Sequence, residues 1–119
     1  MDNVKHRQAA GSLKISREVL ATIAKVAALE VDGVASLADS AGSVRNIFSR
    51  GFSKNAIHIE QSDDFAEVYI SVNLKFGAKI PEVCAAIQSS VKESIQTMTG
   101  MAVSKVNVVV VRIAFADET

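Results

Sequence analysis

The sequence has no tryptophan, only one proline and only one cysteine, and aromatic residues make up 5% of its 119 positions. Hydrophobic residues nevertheless account for 49% of the chain, so a core of useful size has to be built from valine, isoleucine, leucine and alanine. The single cysteine, Cys84, cannot form a disulfide within one chain. This favours a reducing, cytoplasmic environment.

Net charge is also absent, because 13 lysines and arginines balance 13 aspartates and glutamates. The balance disfavours a dedicated nucleic-acid binder and offers little electrostatic resistance to self-association. No apolar run approaches the roughly 20 residues of a membrane-spanning helix, since Lys25 and Arg112 interrupt the longest candidates. The polar start of the chain does not resemble a signal peptide. We therefore expect a cytoplasmic protein that reaches a membrane only peripherally or through a partner.

The pattern along the chain predicts a disordered leader at residues 1–10 and a single domain at 11–119. Helices are predicted from Arg17 to about Val31, after the N-cap Ser16, and from Pro81 to Thr99. The second helix is expected to bury a stripe made of Cys84, Ile87, Val91, Ile95 and Met98. Strands are predicted at residues 11–15, 34–37, 56–60, 66–74 and 103–115. The order β-α-β-β-β-α-β predicts a two-layer α/β (α+β) fold with both helices on one face of a mixed sheet.

The last predicted strand is apolar on both sides. Alternation places Val106, Val108 and Val110 on one side, and the other side carries Val109, Val111, Ile113 and Phe115. A strand of this kind is normally covered on both faces, whereas one layer of helices covers only one. The second face is therefore expected to meet a protein partner, a second copy of the chain, or residues 38–55. We take its four apolar residues as candidate partner-binding residues.

Residues 38–55 are the least regular part of the sequence and form a second candidate site. Basic and aromatic side chains alternate there, namely Arg45, Phe48, Arg50, Phe52 and Lys54. Such a mixture can bind RNA, anionic lipid or an acidic protein. The simpler interpretation, which the modest number of charges favours, is a solvated loop whose phenylalanines fold back on the core.

Residues that could carry catalysis have simpler structural interpretations. Cys84 lies on the predicted buried stripe, and Asp63 and Asp64 lie in a predicted hairpin turn. His6 and His58 have no second ligand at metal-binding spacing. We predict no catalytic residue, no metal and no cofactor.

Several segments together resemble one protein family. They are GSLKIS at 11–16, LEVDGV at 29–34, FGAKIPEV at 76–83, Ile87-Gln88, Val91-Lys92, MTGMAV at 98–103 and Val106-Asn107-Val108. Their order and spacing resemble the alkaline-shock-protein family, also called Gls-type general or cell-envelope stress-response proteins of Gram-positive bacteria. The resemblance runs from about Gly11 to Phe115.

The resemblance implies a cytoplasmic, non-enzymatic protein of the envelope or general stress response. Some members of this family reach the membrane through a membrane-anchored partner and can assemble there as homo-oligomers. Others are associated with acetyl-CoA carboxylase and fatty-acid synthesis. The family motif contains no catalytic residue.

The alternative function, which rests on the residues and not on the resemblance, is a small nucleic-acid-binding module that uses the basic segment 45–54.

Overall fold

A computed structural model describes residues 13–38 and 56–115. The elements follow in the order α1 (Arg17–Leu29), β1 (Val34–Leu37), β2 (Ile57–Gln61), β3 (Phe65–Lys75), α2 (Ile80–Thr99) and β4 (Ala102–Ala114). The strands form one mixed sheet around β3, which is antiparallel to β1 and β2 and parallel to β4. Both helices share a single core with one face of this sheet. The predicted two-layer α+β class is therefore confirmed.

Local signals in the sequence explain where the helices begin and end. Ser16 caps α1 because its Oγ accepts a hydrogen bond from the Val19 backbone N–H at 3.1 Å. Pro81 and Glu82 lie in the first turn of α2. Gly100 ends α2 in the left-handed conformation, with φ 81°, and its N–H donates to the Gln96 carbonyl. The predictions that Ser16 caps the first helix and that Pro81 lies at the start of the second are confirmed.

The buried stripe of α2 differs from the predicted one at both ends. It consists of Val83, Ile87, Val91 and Ile95, each four residues after the last. Cys84 is only half-buried, and Met98 is 69% exposed. Because residues 83 and 84 are both apolar, the sequence allows the buried stripe to begin at either one. It begins at Val83, because side chains spaced by four residues form the row that packs on the sheet.

The predicted strand at residues 11–15 is not formed where the structure describes it, since residues 13–16 have no regular secondary structure. Leu13 is 80% exposed, while Ile15 packs on the edge of the core. The Ile15 carbonyl accepts a hydrogen bond from Gln61 Nε2 at 3.1 Å. This residue thus meets the sheet through a side chain and not through a backbone ladder, so alternation alone was not enough to make a strand.

The strands β1 and β2 lie end to end along the same edge of β3. Leu37 is opposite Val72 and Ile57 is opposite Ile70, which leaves one position of β3, Ser71, between them. The Ser71 carbonyl accepts from the Ala38 N–H at 2.9 Å, and the Ser71 N–H donates to the Ala56 carbonyl at 2.9 Å. In an unbroken antiparallel ladder a single residue would make both of these bonds. The chain therefore leaves and rejoins one composite strand at a single position.

The parallel pair of β3 and β4 extends along the whole of β3, from Phe65 opposite Ala102 to Lys75 opposite Ala114. Two irregularities interrupt its register. At the second, β4 advances from Val110 to Arg112 while β3 advances by one residue. Val111 is thus an extra residue in β4, as in a β-bulge.

Candidate partner-binding face

The sheet has an inner face that packs on the helices and an outer face that points away from them. Along β3 the inner residues are fully buried, and they are Ala66, Val68, Ile70, Val72 and Leu74. The outer residues of β3 alternate with these and range from half-buried to exposed. In the part of the chain that the structure describes, no helix or strand packs on this outer face. It is therefore the first place to look for a binding surface.

Three of the four candidate residues on the last strand are exposed. Val109 is 54% exposed, Val111 is 56% exposed and Phe115 is 50% exposed. Ile113, by contrast, lies opposite Leu74 and packs against the core. The prediction that all four share one face was wrong for Ile113, because the extra residue Val111 reverses the alternation and turns Ile113 toward the helices. The same reversal separates Phe115, which lies two residues after Ile113 and just past the end of β4, from the face of Val109.

An aromatic pair lies at the end of β4 beside these valines. The rings of Phe76 and Phe115 have centroids 5.0 Å apart at an interplanar angle of 33°, and Phe76 is 67% exposed. The Phe76 N–H donates to the Ala114 carbonyl at 2.9 Å, which fixes the turn after β3 against the end of β4. Sequence reasoning missed Phe76 because it lies in a turn and has no periodic pattern. We call Val109, Val111, Phe76 and Phe115 the apolar strip.

A polar cluster occupies the centre of the outer face. The Glu67 carboxylate accepts hydrogen bonds from Asn107 Nδ2 at 3.1 Å and from the Tyr69 hydroxyl at 3.0 Å. The bond from Asn107, then that from Tyr69, and finally the positive charge of Lys105 lower the pKa of Glu67. The same bond to Glu67 raises the pKa of Tyr69. Glu67 is therefore ionised at neutral pH and joins β3 to β4 across the outer face.

An exposed histidine lies beside this cluster on β2. His58 Nε2 is 2.6 Å from Glu60 Oε2, and the imidazole centroid is 5.7 Å from the Tyr69 ring. Each partner of the His58–Glu60 pair is 62% exposed, so water screens the interaction. The outer face thus carries polar and aromatic groups at its centre, with the exposed Val109 on the neighbouring strand β4. Because aromatic residues are enriched at protein interfaces, this face is a candidate binding surface.

The remaining reactive groups do not form a catalytic arrangement in the described ranges 13–38 and 56–115. Partial burial raises the pKa of the Cys84 thiol, which disfavours the reactive thiolate. No group of three or more histidine, cysteine, aspartate or glutamate side chains in these ranges is placed to hold a metal ion. No helix in the same ranges is long and apolar enough to cross a membrane.

The second candidate set and the predicted leader at 1–10 lie outside the described residues. That set contains Arg45, Phe48, Arg50, Phe52 and Lys54. The structure fixes only the two points at which the surrounding segment joins the sheet, Ala38 and Ala56. The nucleic-acid-binding alternative depends on this segment and stays a prediction.

Comparison with known proteins identifies the family to which the chain belongs. Over residues 5–115 the chain matches the alkaline shock protein 23 family, which is described by a cell envelope-related function, and it belongs to that family. It is 30% identical over 106 residues to the uncharacterized protein YqhY of Bacillus subtilis, covering 88% of this chain and 78% of that protein. It is 27% identical over 112 residues to the uncharacterized protein YloU of the same organism, covering 91% of this chain and 92% of that protein. No solved structure matches the chain.

The family resemblance read from the sequence is thus confirmed, and with it a function related to the cell envelope. Both relatives are uncharacterized, so neither assigns a partner or a reaction. The geometry and exposure of the outer face are therefore the basis for a more specific proposal.

Proposed function

We propose that this protein is a non-enzymatic interaction protein of the bacterial cell envelope that binds a protein partner through the apolar strip and the adjoining outer face. The observation that supports this most directly is the exposure of Val109, Val111, Phe76 and Phe115, each half-exposed or more, along the last part of β4 and the turn beside its end. Exposed apolar groups that lie near one another, as the rings of Phe76 and Phe115 do at 5.0 Å, mark interaction sites more often than scattered ones do.

The strip is well suited to give binding energy. Burying one valine or phenylalanine side chain from water stabilises a complex by about 1.5–3 kcal/mol. The backbone of β4 is held along its length by β3, and the Phe76 turn is fixed by its bond to Ala114. Little conformational entropy is therefore lost when a partner binds. The Glu67 cluster next to the strip supplies fixed hydrogen-bonding groups that can select the partner.

The family context favours two kinds of partner. One is a membrane-anchored protein that would bring this chain to the cytoplasmic face of the membrane during envelope stress. The other is the acetyl-CoA carboxylase machinery, through which the protein would influence fatty-acid synthesis. Both fit a chain that has no membrane-spanning helix among its described residues.

Affinity capture with matched variants tests the proposal. Purified protein is used to capture partners from membrane and soluble fractions, and captured proteins are identified by mass spectrometry and then purified for direct binding. Val111→Asp should abolish capture of the specific partner, because it places a charge in the centre of the strip. Val26→Asp, at an α1 position that is 51% exposed, is the matched control and should capture the partner normally.

The two kinds of partner are separated by what is recovered, a small membrane protein or a carboxylase subunit. Circular dichroism must show that both variants are folded. Equal capture by wild type and folded Val111→Asp would contradict the proposed face.

A further inference from the structure

The outer edge of β4 is the longest unpaired strand edge in the described part of the chain. β4 has 13 residues and pairs only with β3 among the strands at 34–37, 57–61 and 65–75. An unpaired edge presents a row of backbone N–H and C=O groups that can pair with another strand. The backbone of this edge is therefore available for pairing with a further strand, and it is distinct from the side chains of the apolar strip.

The middle of this edge lacks the features that usually prevent strand pairing. Natural edge strands are protected by proline, by inward-pointing charges or by bulges. The two irregularities of β4 lie at its ends, near Ser104 and at Val111, and its two charged residues, Lys105 and Arg112, lie beside them. Between them the backbone is regular and Val106 to Val110 carries no charge.

The hydrophobic core is also incomplete at this edge. On β3, Ile70 is 1% exposed and Val72 is fully buried. Their neighbours on β4, Val108 and Val110, point to the same inner face and pack against the core but remain half-buried. The helices therefore cover the inner face completely at β3 but only in part at β4. A further strand beside β4 would bury the exposed part of Val108 and Val110.

The sequence of β4 matches itself when two copies run antiparallel. With Val108 opposite Val108 of the second copy, Val106 faces Val110 on the inner side, and Asn107 faces Val109 on the outer side. In this register Lys105 faces Val111 and Arg112 faces Ser104, so no charged side chain is directly opposite another. The residues left half-buried in one copy are those that the second copy would cover.

We propose that the free edge of β4 pairs antiparallel with β4 of a second copy, so that two four-stranded sheets join into one continuous sheet. The pairing is symmetric, with Val108 on the two-fold axis. This inference does not depend on the proposed partner, because it uses the strand edge and the inner valines, whereas the partner would use the outer face.

The first test compares two valine-to-lysine substitutions, one at the edge and one away from it. Val110→Lys places a charge on the inner face at the edge, where its long side chain can reach water in a single copy but would be covered in the dimer. Val26→Lys adds the same charge at an α1 position that is 51% exposed and is the matched control. Analytical ultracentrifugation over a range of concentrations measures the dimer dissociation constant of each.

We expect wild type to dimerise, Val110→Lys to weaken dimerisation at least about a hundredfold, and Val26→Lys to change it by less than about threefold. Wild-type protein that stays monomeric at every concentration would overturn the proposal. Equal weakening by both variants would overturn it as well.

A cross-linking test does not depend on how Val110→Lys folds. In a Cys84→Ser background, Val108→Cys should form an interchain disulfide under mild oxidation, because directly opposed residues in antiparallel strands have Cα atoms about 4.5–5.5 Å apart. Glu93→Cys, on the exposed surface of α2, is the control and should remain largely uncross-linked. Cross-linking no faster at position 108 than at position 93 would rule the pairing out. Partner capture is measured separately, so failure of one proposal is distinguishable from failure of the other.

Discussion

The two edges of the central strand β3 are used in opposite ways. One edge is filled by β1 and β2 in tandem, with a break at Ser71, while the other is filled by β4 as a single strand. The broken edge is where the chain departs to the basic segment, and the unbroken edge carries the exposed valines. The comparison shows that the chain can leave a strand and return to it without loss of sheet hydrogen bonds when both ends of the inserted segment bond to the same residue, here Ser71. In this sheet, the exposed Val109 and Val111 lie on the strand that fills the edge without such a break.

The largest effect is expected from proline at the break itself. Ser71→Pro removes the N–H that donates to Ala56 and places proline inside a central strand, so it should destabilise the fold by about 3 kcal/mol or more. Ser71→Ala keeps the backbone and should change stability by less than about 0.5 kcal/mol. Chemical denaturation followed by circular dichroism measures both. Similar stability of the proline and alanine variants would show that the broken ladder does not hold the two short strands.

A second large effect is expected at the start of the broken edge. Gly33 has φ 100°, its carbonyl accepts from the Lys75 N–H at 2.8 Å, and a Cβ there would lie 2.7 Å from Val83 Cγ2. Gly33→Ala should therefore cost about 3 kcal/mol, from backbone strain and from the clash with α2.

Gly77 provides the matched control for that substitution. It has φ 94°, but nothing lies within 4 Å of its Cβ position, so Gly77→Ala should cost only about 1 kcal/mol of backbone strain. Denaturation midpoints of the two alanine variants separate strain from crowding. Equal losses would mean that Val83 moves aside and that the approach of α2 to this edge is not tight.

The unbroken edge has a pH-dependent contribution from Glu67, which joins β3 to β4. Its pKa in the folded protein is lowered, so its contribution to stability is present above the ordinary value of 4.5 and is lost as the pH falls through the folded value. Wild type should be more stable than Glu67→Gln at pH 7, and the difference should disappear in acid. Urea denaturation at pH 7 and near pH 3 measures it. A difference that is the same at both pH values would exclude the ionised carboxylate as its source.

The smallest effect is expected from deleting the excursion. Without residues 39–56, Ala38 is followed directly by Ile57, and the register runs without a break from Leu37 opposite Val72 to Ile57 opposite Ile70. Since the entropy of closing a connecting segment changes only slowly with its length, and Ala38 takes the position opposite Ser71, stability should stay within about 1 kcal/mol of wild type.

Deleting one residue fewer, 39–55, is the sharpest control. It retains Ala56, so two residues compete for the single position opposite Ser71. A one-residue slip would turn Ile57 and Ile59 to the outer face or force a bulge, so this variant should be the less stable of the two. If both deletions are equally stable, the composite strand does not have the inferred register.

Much of this fold could be predicted from the sequence because its signals are local. The alternation of Val68, Ile70 and Val72 marks the buried face of β3, and Ser16 and Gly100 mark helix ends. The positions where prediction failed lie where apolar residues are adjacent. The four valines at 108–111 contain no polar residue that could show where an extra residue enters. The one signal is Arg112, a charged residue that strict alternation would place on the inner face and that the extra residue turns outward instead.

The candidate site was predictable to a similar degree. The exposure of Val109, Val111 and Phe115 could be predicted because the last strand is apolar on both faces, whereas one layer of helices covers only one of them. Their role in partner binding stays a prediction. Phe76 and the Glu67 cluster were missed, because each depends on a contact between residues distant in sequence, Phe115 in one case and Asn107 in the other. Strand register determines such contacts, and no local pattern encodes it.

The break at Ser71 also makes this domain divisible. A peptide ending at Ala38 would carry α1 and β1, and a second peptide starting at Ala56 would carry the rest of the described sheet and α2. The interface between the two peptides would consist of the pairing of β1 with β3 and the contact of α1 with α2. In that contact, Ser90 Oγ donates a hydrogen bond to the Ala27 carbonyl at 3.1 Å. The two pieces are therefore natural halves of a split reporter whose reassembly would read out proximity inside a bacterial cell.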